Sequence, residues 1–195
     1  MTELEAVVKA AFLLVGMSVA GVAHVLWLRS PLARRFDAPI DGGLTLRGRR
    51  LFGANKRVCG FMVLPPAAAL SFALLSDAGG LLPRPLEEAL WPMSTLAYAG
   101  LGLAAGLAFM LAELPNSFIK RQLDVAPGAA PTQPGQRWLV LLIDRLDSVL
   151  GVLIVVSLLV PLPALSWLWV LMAGPLVHAV FSTALYALGL KARAL

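Results

Sequence analysis

Charge is scarce in this chain. Asp, Glu, Lys and Arg together make up 14% of its 195 residues, against about a quarter in ordinary soluble domains. Cysteine is scarcer still: Cys59 stands alone, which excludes an internal disulfide and any cysteine-built metal cluster. The two histidines, His24 and His178, have no second His or Cys at ligand spacing. They read as hydrogen-bonding groups between packed helices rather than as zinc ligands. No Gly-x-x-x-x-Gly-Lys-Ser/Thr run occurs, so a Walker-type phosphate loop is absent too.

What the chain does have is apolar surface. Hydrophobic residues make up 59% of it and the mean hydropathy is +0.82, values that belong to a membrane protein. The expected fold class is all-α: a polytopic integral membrane protein, one transmembrane domain over residues 1–195, with five spans near 6–28, 58–76, 91–114, 138–160 and 165–190. The first span is preceded by Glu3 and Glu5 and followed by basic residues, the reverse of a secretory signal, and so reads as a retained helix. Pro65-Pro66 and Gly174-Pro175 are expected to kink the second and fifth spans, and Pro115 to end the third. Gly102-x-x-x-Gly106 on the third span allows close helix approach and leaves room for a second copy of the chain as partner.

The net charge of +5 would suit nucleic acid, but its distribution follows the spans instead. Eight cations (Arg29, Arg34, Arg35, Arg47, Arg49, Arg50, Lys56 and Arg57) lie in the first loop, and 14 of the 16 Lys and Arg fall on one side of the expected topology, leaving only Lys9 and Arg84. The positive-inside rule then places the N-terminus outside, the C-terminus in the cytoplasm and both large loops at the cytoplasmic face of the cell inner membrane. Nucleic acid is not expected as a partner.

Two short clusters carry the chemistry. Ser117-Phe118-Ile119-Lys120-Arg121 and Asp144-Arg145-Leu146-Asp147-Ser148 flank a Pro/Gly-rich stretch over 124–136 that is too rich in breakers to continue a helix and should turn the chain back. Both clusters would then meet at one membrane edge. Asp144, Asp147 and Ser148 share a helical face by their i, i+3, i+4 spacing. Adjacent carboxylates in a poorly solvated place repel and are costly to desolvate, so they call for a divalent cation or for basic partners. Mg²⁺ takes one or two protein carboxylates together with water and phosphate oxygens, while Lys120 and Arg121 suit phosphate itself. A structural lock, with the two aspartates paired to Arg145 and Arg121, is equally compatible with the spacing. In the first loop, glycines between cations let backbone N–H groups approach a phosphate closely.

These residues resemble a known signature. The two clusters are similar to those of the CTP-dependent lipid cytidylyltransferases, the family of phosphatidate cytidylyltransferase. Asp41-Gly42-Gly43 and Leu51-Phe52-Gly53-Ala54-Asn55-Lys56, in so small a chain, look closest to its CDP-archaeol synthase branch. The resemblance implies a nucleotidyltransferase that joins CTP to a lipid phosphate, giving CDP-lipid and pyrophosphate with Mg²⁺ as cofactor. It implies catalytic roles for Lys120, Arg121, Asp144 and Asp147, substrate binding by Asn55, Lys56 and Ser117, and metal ligation by Asp144 and Asp147; Arg57, Asn116 and Arg145 beside these positions are expected to join in substrate binding, and Glu113 in metal ligation. Glu113 stands where the family usually has aspartate. Lys56-Arg57-Val58-Cys59-Gly60 replaces the branch's usual Lys-Thr-Trp-Arg-Gly. The competing classes are a small transporter or channel, suggested by the kinked helices, and a catalytically silent membrane scaffold.

Overall fold

The computed structural model describes residues 2–36, 38–126 and 134–189, with the side chains of Arg34, Phe36 and residues 134–141 excepted. Expectations attached to Asp37, Arg137, Trp138, Lys191 and Arg193 fall outside what is described. Among the described residues six α-helices form: α1 (Glu3–Arg29), α2 (Val58–Gly79), the five-residue α3 (Arg84–Glu88), α4 (Thr95–Gln122), α5 (Pro134–Leu159) and α6 (Ala164–Ala187). A 3₁₀ turn follows α1 at Pro31–Phe36, and a two-stranded ribbon, β1 (Thr45–Leu46) and β2 (Arg49–Arg50), stands in the first loop.

Helices α1, α2, α4 and α6 are long and apolar enough to cross a membrane. Helix α5 has the length, at 26 residues, but Asp144, Arg145 and Asp147 interrupt its apolar run. Thr2 starts α1 with a reciprocal cap, its Oγ1 accepting from Glu5 N and Glu5 Oε1 accepting from Thr2 N, both at 3.2 Å, which satisfies two donors that a helix start leaves unpaired.

The five long helices close a ring in which α1 packs on α2 and α6, α4 packs on α2 and α5, and α5 packs on α6. Missing side chains make the tightest contact. A Cβ on Gly102 would strike the Ala68 carbonyl of α2, and one on Gly106 would sit 2.6 Å from Pro65 Cα. The glycine face of α4 is therefore filled by α2, and it offers no seat for the second copy that the sequence allowed. Pro65 and Pro66 lie inside α2, with Pro65 fully buried against that glycine notch. Backbone freed by proline in lipid must face protein, and here α4 supplies it.

Pro115 does not end the third span. Helix α4 runs through it for another two turns to Gln122, because neighbouring helices can support a proline that an isolated helix would not tolerate. Helix α5 is that neighbour: Gly151 presses on Ala112 and on the carbonyl of Ala108, and polar contacts continue the seam beyond the proline. The expected start of this span at 91 also shifts. Trp91 precedes the helix and is buried, its Nε1 donating to Pro161 O at 2.8 Å while its carbonyl accepts from Tyr98 Oη at 2.7 Å. With Phe12 and Phe72 it builds an aromatic core at the end of the ring away from the first loop.

Candidate active site

The continuation of α4 aligns its last turns into one face. Glu113, Asn116 and Lys120 follow i, i+3, i+7 and meet Asp144, Asp147 and Ser148 on antiparallel α5. Asn116 Nδ2 donates to Asp144 Oδ1 at 2.5 Å and to Asp147 Oδ2 at 3.0 Å. Lys120 Nζ forms an ion pair with the same Asp144 oxygen. Ser148 Oγ lies 3.0 Å from Glu113 Oε1 and 3.1 Å from Asp147 Oδ1, and Ser148 N donates to Asp147 Oδ1 at 2.7 Å. The second Glu113 oxygen is ion-paired with Lys56, at the end of the first loop. One chain of contacts thus runs Lys56, Glu113, Ser148, Asp147, Asn116, Asp144, Lys120. His24 and His178 lie within electrostatic reach of the Glu113 carboxylate.

Arg121 differs from its neighbours. Its Nε and Nη1 are buried without a hydrogen-bond partner, close enough to Asp144 to feel its charge but not bonded to it. Buried donors left unmade are expensive, and more so on a cation. The lock expected between Arg121, Arg145 and the aspartates does not form; Lys120 and Asn116 hold Asp144 instead. Lys120 and Arg121 occupy the last turn of α4, where the helix macrodipole favours positive charge.

The first loop closes over this end through its own framework. Asp41 is buried, 3% exposed; its Oδ1 accepts from Gly43 N, and its Oδ2 from Phe52 N and Gly53 N, each at 3.1 Å, while Arg50 forks onto both oxygens. Burial alone would raise the Asp41 carboxyl, but Arg50 and the three N–H donors outweigh it and hold the group far below the ordinary carboxylate range. Between β1 and β2 the turn uses Arg47 and Gly48, both at positive φ (52° and 79°), the two-residue geometry that matches strand twist. Arg49 then reaches the C-terminal end of α4, donating to Gln122 O and pairing with Asp124. Ile40 N donates to Lys56 O at 2.8 Å, which fixes where the Lys56 side chain departs.

Of the residues expected from sequence, Lys56, Glu113, Asn116, Lys120, Asp144 and Asp147 are thus joined directly. Arg57 occupies the N-cap position of α2; Asn55 is exposed in the loop, Ser117 is buried in α4 and Arg145 is half-buried, and these three do not enter the chain of contacts among the described residues. Asp41, Ser148 and Arg49 carry more than their sequence signals suggested. Ser148 had a usable cue in its i+4 position after Asp144, and Asp41 in the Asp41-Gly42-Gly43 motif, although neither cue gave the residue its role. Among the described residues no three acidic, His or Cys side chains gather closely enough to hold a metal by themselves. Asp144 and Asp147, spanned by one Asn116 amide, still present the two hard oxygen donors that Mg²⁺ accepts. A cleft of about 710 Å³ lined by Arg84, Glu87, Trp91 and Tyr98 opens at the opposite end of the ring, away from these groups.

Comparison with known proteins gives a consistent picture. The family model described as CarS-like, CDP-archaeol synthase matches residues 33–194. A CDP-archaeol synthase of Thermofilum pendens is 33% identical over 180 residues, covering 89% of this chain and 74% of that protein. One of Halobacterium salinarum is 33% identical over 168 residues, covering 78% and 81% respectively. The solved structure of an intramembrane enzyme for archaeal membrane lipids biosynthesis shares the fold, with a TM-score of 0.61 at 24% identity over 88% of this chain and 91% of that one.

Proposed function

The chain belongs to the CDP-archaeol synthase family, and on that premise we propose that the facing ends of α4 and α5 are its catalytic centre. The protein is a membrane CTP-dependent cytidylyltransferase. A lipid phosphate oxygen attacks the α-phosphorus of CTP; the new oxygen–phosphorus bond forms as the bond to the β-phosphate oxygen breaks, and pyrophosphate departs. Two polyanions must meet, so the protein's task is neutralisation and alignment more than proton transfer.

Arg121 is the observation that carries this reading, since its buried, unpartnered donors are the kind of group a phosphate oxygen completes. Lys120 supplies further charge beside it, and Lys56 reaches the nucleotide from the first loop. Asn116 holds Asp144 and Asp147 at one spacing, and those two carboxylates would hold Mg²⁺. Bound there, the ion offsets triphosphate charge. Asn55, Arg57 and Arg145 sit near enough in sequence to contribute to substrate contacts at the rim, and Ser117, buried in α4 next to Asn116, to contribute from within the helix. The lipid would approach sideways, with its phosphate at the interface and its tails left in the bilayer.

In this reading α5 is a fifth span and the site faces the cytoplasm, with the N-terminus outside and the C-terminus inside. The concentration of cations at the loop-1 end supports that orientation. The test is direct. Purified protein receives radiolabelled CTP, Mg²⁺ and a panel of diacyl and ether-linked isoprenoid glycerol phosphates, and pyrophosphate release is followed. CTP-dependent formation of a CDP-lipid is expected; solute flux in proteoliposomes without CTP turnover would overturn the proposal in favour of transport.

A further inference from the structure

We propose that Glu113 is the positioning residue for Lys56, setting the first loop over the nucleotide, rather than a third ligand for the metal. This rests on the catalytic reading above and goes one step further into the site. Both Glu113 oxygens are approached by protein donors: Oε2 by the Lys56 ammonium, and Oε1 by Ser148 Oγ at 3.0 Å, whose single proton is shared with Asp147 Oδ1 at 3.1 Å. Ser148 is 1% exposed, and such a shielded donor fixes the carboxylate from behind. The ion pair is itself partly shielded, with the two side chains 22% and 19% exposed, where attraction is stronger than at an open surface.

The other end of the lysine is equally constrained. Lys56 O accepts from Ile40 N, Lys56 N donates to Gly53 O at 3.4 Å, and Gly53 N is tied to Asp41. The loop framework therefore fixes the lysine's backbone and Glu113 fixes its ammonium, across 57 residues of sequence. Asp144 and Asp147 share Asn116, whereas the hydrogen-bonded link from Glu113 to them runs, among the described residues, through Ser148. The geometry divides the acids into a pair suited to a cation and a single carboxylate assigned to a lysine.

Two readouts test the assignment on the full chain in lipid nanodiscs. The first needs no turnover: amide hydrogen exchange of residues 53–57 in protein free of Mg²⁺ and CTP. Glu113→Gln should speed that exchange about tenfold or more, and the charge-exchanged double variant Lys56→Glu with Glu113→Lys should restore much of the protection. The second is kinetic. Glu113→Gln should raise KM for CTP about tenfold while the Mg²⁺ concentration for half-maximal rate, at saturating CTP, stays within about twofold. Lys56→Met combined with Glu113→Gln should be no worse than Lys56→Met alone. A large shift in Mg²⁺ requirement with unchanged KM for CTP, fully additive losses, or unchanged exchange would each overturn the assignment. If the unsubstituted protein turns over no lipid phosphate, the catalytic reading fails by itself, and the exchange measurement still decides whether Glu113 holds Lys56.

Discussion

Replacing Asp41 by alanine should disorder the first loop while leaving the helical ring intact. The carboxylate is the loop's single buried acceptor for Gly43 N, Phe52 N, Gly53 N and the Arg50 fork. Hydrogen bonds to a charged group contribute about 1.5–3 kcal/mol each when considered singly, but these share one acceptor and are not additive. Arg50 is 35% exposed, so solvent screens its share. A net loss of about 3 kcal/mol is the reasonable scale, since breaking a buried pair costs about 3–5 kcal/mol and water can reach part of what is left behind. That corresponds to about a hundredfold shift in the loop's opening equilibrium. Exchange of amides 43–56 should accelerate by that order, and kcat/KM for CTP should fall by up to the same factor, because the nucleotide finds a competent loop less often. The thermal transition of the helices in detergent should move little. Loop exchange within about threefold of the unsubstituted protein would refute the reasoning. The same carboxylate sets a pH expectation. Its folded pKa is depressed, so its stabilisation is complete above the unfolded value of about 3.9 and is lost only as pH falls through the folded value. Loop protection, corrected for intrinsic exchange, should therefore stay flat between about pH 8 and pH 5.

Three further outcomes follow from the packing and the site. Gly102→Ala forces a methyl group onto the Ala68 carbonyl and should destabilise the protein by about 1–3 kcal/mol. Gly100→Ala, on the same helix with nothing within 4 Å, should be neutral or stabilising by up to about 1 kcal/mol; parallel thermal scans check both. Arg121→Met breaks none of the hydrogen bonds that Nε or Nη1 could have made, so the melting temperature should hold or rise while KM for CTP increases about tenfold to a hundredfold. Asp147→Asn keeps one oxygen, which can accept from Asn116 or from Ser148 N but not from both as the two carboxylate oxygens do, and should leave a folded, extractable protein whose turnover has dropped by about a thousandfold or more. Failure to fold instead would assign Asp147 a structural role.

The helices were legible because lipid imposes a length and an apolarity that no turn can imitate. The meeting of the two clusters was legible for a related reason: breakers over 124–136 allow little except reversal. Pro115 was misread since propensity describes a helix alone, whereas Gly151 and the Asn116 and Lys120 contacts on α5 hold the turns on either side. The glycine face of α4 advertised close approach without naming its partner, which proved to be α2. Asp41 stood out only as part of the Asp41-Gly42-Gly43 motif; its place at the centre of the loop depends on a ribbon whose turn is Arg47-Gly48, not one of the familiar Asn-Gly or Asp-Gly pairs. The pairing of Lys56 with Glu113 crosses 57 residues, and no local pattern encodes it.

The charges at this end can be counted as a system. Among the described residues, the ion-paired or electrostatically linked set is Lys56, Lys120 and Arg121 with Glu113, Asp144 and Asp147, three cations and three anions. Ionised groups in a poorly solvated place persist only when compensated, and this set compensates itself. Lys56 and Lys120 are already engaged, whereas Arg121 among the described residues has buried donors to give an arriving triphosphate at once. Drawing the lysines onto phosphate would leave carboxylates facing each other and a polyanion, an arrangement that low dielectric penalises steeply. A divalent cation held by Asp144 and Asp147 would remove that penalty, with Lys120 then available to the phosphates and Glu113 still paired with Lys56. Charge balance therefore predicts that Mg²⁺ and CTP bind synergistically: each should raise the other's affinity by the same factor, a reciprocity that calorimetric titrations in both orders can measure. Independent affinities would mean that the lysines never leave their acids, and would break the link from this geometry to catalysis.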